Sequence, residues 1–174
     1  MTDIANTTPS LIVRFLIATL ILFVIWLLLV GKWDWAENSV GLAVAMITAL
    51  ISLKNFELLD GIKFTAMTPF YMVHYLVIFI IALIRSNVDV ALRVLSPQLP
   101  INPAIVTVKT QLQSPLGKLI LANSITLTPG TLTVDIIDDN LQIHWIDSTP
   151  GTDLAHATQA ISDQFERDLR RIFI

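Results

Sequence analysis

The chain has 174 residues, of which 54% are hydrophobic and 14% charged, and its net charge is −3 at neutral pH. Soluble domains carry about 25% charged residues, so a mean hydropathy of +0.70 assigns the apolar excess to lipid and leaves room for one small soluble domain. The acidic balance argues against nucleic-acid binding, and the lack of cysteine excludes disulfides, thiolate metal sites and thiol redox chemistry.

Leu11 to Val30 is apolar except for Arg14 and Thr19, a helix long enough to cross the roughly 30 Å hydrocarbon core of a bilayer. The leader before it carries Asp3 and no Lys or Arg, and Gly31-Lys32-Trp33-Asp34-Trp35 is no small-residue cleavage site, so the segment reads as a span and not a signal peptide. Trp26, Trp33 and Trp35 predict an interfacial belt, because indole combines an apolar body with an N–H that needs a partner. The uncharged run Val40 to Leu53 spans if it recruits Trp35 to Ser39, which predicts a second helix over 36–53 and a short helical hairpin.

Lys54, Glu57, Asp60, Gly61 and Lys63 mark a polar connector, followed by a third apolar segment over 70–84. Over 85–95 the pattern becomes amphipathic: Arg85, Asp89 and Arg93 share one helical face, and Val88, Ala91, Leu92 and Leu95 the other. This predicts a stalk leaving the apolar layer, so residues 1–95 form a membrane region. The apolar composition of 70–84 favours three hydrophobic segments, the third spanning or dipping from the cytoplasmic surface, although three spans leave Lys54 and Lys63 outside where two leave Lys32; in both topologies the Arg-rich C-terminal end is cytoplasmic.

Pro97, Pro100 and Pro103 make 96–103 a stiff linker, and 104–174 a small α+β domain. Ile105, Val106 and Val108 predict a strand; Ser114-Pro115 caps a helix to about Asn123 with Leu116, Leu119, Ile120 and Asn123 on one side. Thr128-Pro129-Gly130-Thr131 predicts a type II turn. The strand after it is expected to point Leu132, Val134 and Ile136 inward. Asp138, Asp139 and Asn140 turn the chain into a strand with Leu141, Ile143 and Trp145 on one face, and a final helix aligns Leu154, Ala157, Ile161, Phe165, Leu169 and Ile172. The fold class is thus a membrane protein with two to three N-terminal transmembrane helices and a β-α-β-β-α ferredoxin-like half-sandwich.

Catalytic motifs are absent from the sequence. His74, His144 and His156 are far apart, and Asp135, Asp138, Asp139 and Asp147 read as turn formers and exposed strand residues in preference to a hard-cation site. Arg14 and His74 are the intramembrane ionisable candidates, and neither makes an ion pathway alone.

The run Ala122-Asn123-Ser124-Ile125-Thr126-Leu127-Thr128-Pro129-Gly130-Thr131-Leu132-Thr133-Val134-Asp135, together with Ser86-Asn87-Val88-Asp89-Val90 and the following Ser96-Pro97 and Pro103, resembles the small E-type (MrpE/MnhE-like) component of the multisubunit Mrp-type sodium/proton antiporters of bacteria. The resemblance implies a multi-pass subunit of the bacterial cytoplasmic membrane. Its C-terminal domain would be cytoplasmic, and its partners the bilayer and the other hydrophobic subunits of the complex. It also implies an accessory, structural role in assembly and stability without carrying the ion path, with no enzyme activity, cofactor or metal. Arg85, Asn87, Asp89, Arg93, Asn123, Thr126, Thr128, Pro129 and Gly130 are then fold or subunit-contact residues. The alternative is a free-standing membrane-anchored binding or regulatory module that uses an exposed sheet edge.

Overall fold

A computed structural model describes residues 10–53, 61–63 and 65–174 and divides the chain into two compact units, Met1–Asp60 and Gly61–Ile174. The leader with Asp3 and the connector positions Lys54, Glu57 and Asp60 lie outside the described residues.

The first unit is a helical hairpin of α1 (Leu11–Val30) and α2 (Trp35–Ser52). Ser10 caps α1 by accepting from Val13 N, and Gly31 ends it at φ +62°, a left-handed closure that glycine adopts without strain. Ala18 of α1 meets a stripe of Asn38, Gly41, Ala45 and Ala49 on α2. Small residues one turn apart let apolar helices pack closely where water offers no hydrophobic drive. The indole of Trp26 fills the space over Gly41, where an added Cβ would lie 2.3 Å from it. Trp33 and Trp35 are exposed, so of the three expected belt tryptophans, Trp26 serves helix packing instead.

The second unit begins with α3 (Thr68–Leu95), so the third apolar segment and the amphipathic stretch form one unbroken helix of 28 residues. Then follow β1 (Ala104–Lys109), α4 (Pro115–Leu127), β2 (Thr131–Ile137), β3 (Asn140–Trp145), α5 (Leu154–Ile161) and α6 (Asp163–Ile172). The sheet order is β1-β3-β2, with β3 antiparallel to both neighbours. Val106, Val108, Leu141 and Ile143 are buried on one face, packed with Leu121 and Ile125 of α4 and with Ala157, Ile161, Phe165, Leu169 and Ile172 of α5 and α6. Each Val, Leu, Ile or Phe side chain among them contributes roughly 1.5–3 kcal/mol on leaving water.

Three expectations are corrected. Leu132 and Val134 are exposed at 51% and 59%, and Thr131 and Thr133 occupy the inner face. The ladder skips from Thr133 to Asp135, and this bulge at Val134 restores Ile136 to the inner side opposite Leu141. Secondly, α4 runs to Leu127 and buries Gly117, Leu121, Ala122, Ser124 and Ile125, not the side bearing Leu119 and Asn123. Small residues decide the face, since a Cβ on Gly117 would sit 3.1 Å from Phe173. Thirdly, the last helix breaks at Ser162, whose hydroxyl donates to Thr158 O at 3.0 Å. Such back-bonding bends helices, yet the buried stripe continues across the break, apart from Leu154, which is exposed.

A strap closes the unit. Ile174 N donates to Gly61 O at 2.8 Å, Lys63 N to Ile172 O at 2.7 Å, and Gln113 N and Ser114 N both reach Ile174 O.

Candidate functional site

The two sequence motifs meet in space. Ser86 and Asp89 of α3, with Arg85 beside them, face Thr128, Pro129 and Thr131 of the turn after α4 across a cleft of about 290 Å³ floored by Trp145 and Phe165. Each side has a local cause. On the turn, Thr128 Oγ1 donates to Ile125 O at 2.7 Å and Thr131 Oγ1 to the same carbonyl at 2.6 Å, so two hydroxyls satisfy acceptors left open at the end of α4. Thr126 Oγ1 accepts from Thr133 N at 3.1 Å, and Thr133 Oγ1 returns a bond to Ala122 O. Thr131 N closes the turn on Thr128 O at 3.4 Å. Gly130 takes φ +96°, and a Cβ there would lie 3.0 Å from Ile146.

On α3, Ser86 Oγ donates back to Ala82 O at 2.6 Å and Asn87 Nδ2 to Leu83 O at 2.7 Å. Arg93 is the hub. Its Nε pairs with Asp89 at 2.7 Å, and its Nη1 with Asp147 at 2.6 Å and with the Pro100 carbonyl at 2.7 Å. Asp147 is held below the usual carboxylate range by the Thr149 hydroxyl first and then by the Arg93 guanidinium, against a desolvation that raises it. Arg93 thus joins helix, linker and sheet end within the chain.

Among the sequence-selected residues, Ser86, Asp89, Thr128, Pro129 and Arg85 come together here. Asn123 is exposed and lines a separate shallow cleft beside β2 with Thr126 and Asp135. The four hairpin aspartates are dispersed: Asp138 and Asp139 sit at the turn, where Lys118 Nζ reaches Asp138 O at 2.7 Å and the Asp139 carboxylate at 2.9 Å, whereas Asp147 follows the other end of β3. Residues missed from sequence are the partners of α3, namely Tyr75 bonded to Ser124, His74 beside Asp168, and Phe79 against Phe165. No local pattern signals contacts 49 or more residues apart. The cleft offers the hydroxyls of Ser86, Thr128 and Thr131, the Arg85 guanidinium, the Asp89 carboxylate, the Gln164 amide and aromatic walls.

A family model described as Na+/H+ ion antiporter subunit matches residues 19–172. The chain belongs to the MnhE family of Na+/H+ antiporter subunits. It is 33% identical over 159 residues to the E-type Na(+)/H(+) antiporter subunit of Alkalihalophilus pseudofirmus, covering 90% of this chain and 96% of that one. With its counterpart from Bacillus subtilis it shares 34% over 145 residues, 80% of this chain and 90% of the other. Among solved structures, a chain of the membrane-bound sulfane sulfur reductase, an archaeal respiratory membrane complex, superposes with a TM-score of 0.80 at 41% identity, covering 92% of this chain and 99% of that one. Among the described residues, this MnhE-family chain has three helices long and apolar enough to cross a membrane.

Proposed function

We propose that this chain is an accessory subunit of a multisubunit Na+/H+ antiporter complex in the bacterial cytoplasmic membrane, supporting assembly and stability without itself carrying the ion path. The observation that carries the reading is the composition of the hairpin: α1 holds Arg14 and α2 holds Glu37 as their sole ionisable residues, and the buried α1–α2 contact, with Ala18, Trp26, Asn38, Gly41, Ala45 and Ala49, contains no ionisable side chain. Ion translocation through lipid uses relays of ionisable groups facing one another. Within this reading the 104–174 domain is cytoplasmic, joined through the 96–103 linker, and its β1-β3-β2 order supports a ferredoxin-like half-sandwich. Arg85, Asn87, Asp89, Asn123, Thr126, Thr128, Pro129 and Gly130 hold the fold or face neighbouring subunits, and no residue is catalytic.

The test separates assembly from transport. Deleting the chain should abolish recovery of the assembled complex, whereas Arg14→Gln with Glu37→Gln should leave sodium-dependent proton flux per assembled complex unchanged in everted vesicles. Loss of flux with assembly intact would place the ion path in this chain. A second reading is a membrane module of a respiratory complex, favoured by the 41% identity to a chain of the sulfane sulfur reductase. Mass spectrometry of the copurifying chains decides between them.

A further inference from the structure

The outward face of α3 is apolar from end to end: Phe70, Val73, Val77, Ile81, Ile84 and Val88 stand exposed along it. Two polar residues border it: His74 is stacked on Phe70 and reaches back to Asp168, and the Asn87 amide is spent on the Leu83 carbonyl.

The opposite face is tied to the charged α+β domain along nearly the same length. Arg171 lies 5.8 Å over the Tyr71 ring, His74 is 3.7 Å from Asp168, Phe79 packs on Phe165, and Arg93 holds Asp147 at 2.6 Å. From Tyr71 to Arg93 the helix rises about 33 Å, which matches the roughly 30 Å core of a bilayer. An α3 that crossed the bilayer would therefore set Arg171 and Asp147 at its two surfaces and carry the part of the α+β domain packed between them, Asp168 with it, through hydrocarbon, where ionised groups are strongly disfavoured.

We propose that α3 does not cross the membrane but lies along its surface, with its outward apolar face in the lipid and Arg85 at the level of anionic headgroups. Two features favour lipid over a helix of another subunit. Close helix packing in membranes uses small residues, as the Gly41-Ala45-Ala49 stripe does in the hairpin. The outward face of α3 presents branched side chains instead, with Ala91 as its one small residue. The charges are also complementary: Asp89, Asp147 and Asp168 are all paired, whereas Arg85, on the flank of the apolar face, has no ion pair among the described residues. Cations flanking an apolar stripe are the pattern of in-plane helices, which sink about 5–10 Å into the interface.

This goes beyond the antiporter-complex reading and is tested on the full chain in native membranes, whatever copurifies. The chain has no cysteine, so Met67→Cys and Gln98→Cys, both exposed, report the two ends of α3. In sealed vesicles of each orientation, a membrane-impermeant maleimide should label both from the side on which Gln113→Cys is labelled. Labelling of the two ends from opposite sides overturns the proposal. Depth is then read with bimane on Ile84→Cys, with Ile81→Cys as a second reporter, in vesicles containing lipids brominated at shallow or deep chain positions. Shallow lipid should quench at least about twofold more than deep lipid. Stronger quenching by deep lipid indicates a span, and no quenching by either indicates cover by protein; both overturn it.

Discussion

Gly130 shows how one backbone angle holds the cleft. At φ +96° with Ile146 3.0 Å from any added Cβ, alanine is strained both by conformation and by contact, so Gly130→Ala should destabilise the second unit by about 1–3 kcal/mol in urea unfolding. Asp147 sets a pH dependence. Its carboxyl is held low by Thr149 and then Arg93, and a depressed folded value contributes stability that is present above the unfolded value near about 3.9 and is lost as pH falls through the folded one. Asp147→Asn should therefore cost roughly 1 kcal/mol at pH 7, and the gap to the parent chain should close below about pH 4. A gap that persists at low pH would show that the carboxylate charge is not what holds Arg93.

At the scale of elements, the hairpin depends on a stripe with no room in it. Gly41→Leu would drive a side chain into the Trp26 indole; overpacking of this kind costs about 1–3 kcal/mol, and cysteine cross-linking between α1 and α2 should fall accordingly. In β2 the bulge makes the opposite prediction from a plain alternation. Because Leu132 and Val134 are exposed, Leu132→Thr and Val134→Thr should shift stability by no more than about 0.5 kcal/mol. Ile136→Thr, on the inner side of the ladder, should cost clearly more in the same unfolding measurement. Lys118 joins α4 to the Asp138-Asp139 turn, and Lys118→Met should speed amide exchange at that turn first.

The whole molecule is defined by apolar surface that its own contacts leave uncovered. Both hairpin helices expose most of their leucines and isoleucines, and so does the outer side of α3. The hairpin reads as covered by lipid or by neighbouring subunits, and a family of antiporter subunits supplies the second kind of cover. Affinity purification in mild detergent should accordingly recover the chain with large multispanning subunits. Recovery as a stable, monodisperse species would favour the membrane-anchored module instead and direct attention to the free edge of β2.

Sequence by itself determined what depends on neighbours along the chain. Helices α1 and α2 follow from long, nearly uncharged apolar runs, the start of α4 from Ser114-Pro115, and the turn before β2 from Pro129-Gly130. The inner face of β3 follows from strict alternation, and the family from two short motifs. Tertiary structure decided which faces are buried. Periodicity names an apolar stripe but not what presses against it: in α4 the small residues Gly117 and Ser124 chose the face, and in β2 a bulge cancelled the alternation. In α3 the periodic pattern marked an apolar stripe and a charged one. Only the fold shows that Asp89 and Arg93 of the charged stripe turn back onto the same chain, through the bond from Arg93 to Asp147, 54 residues away.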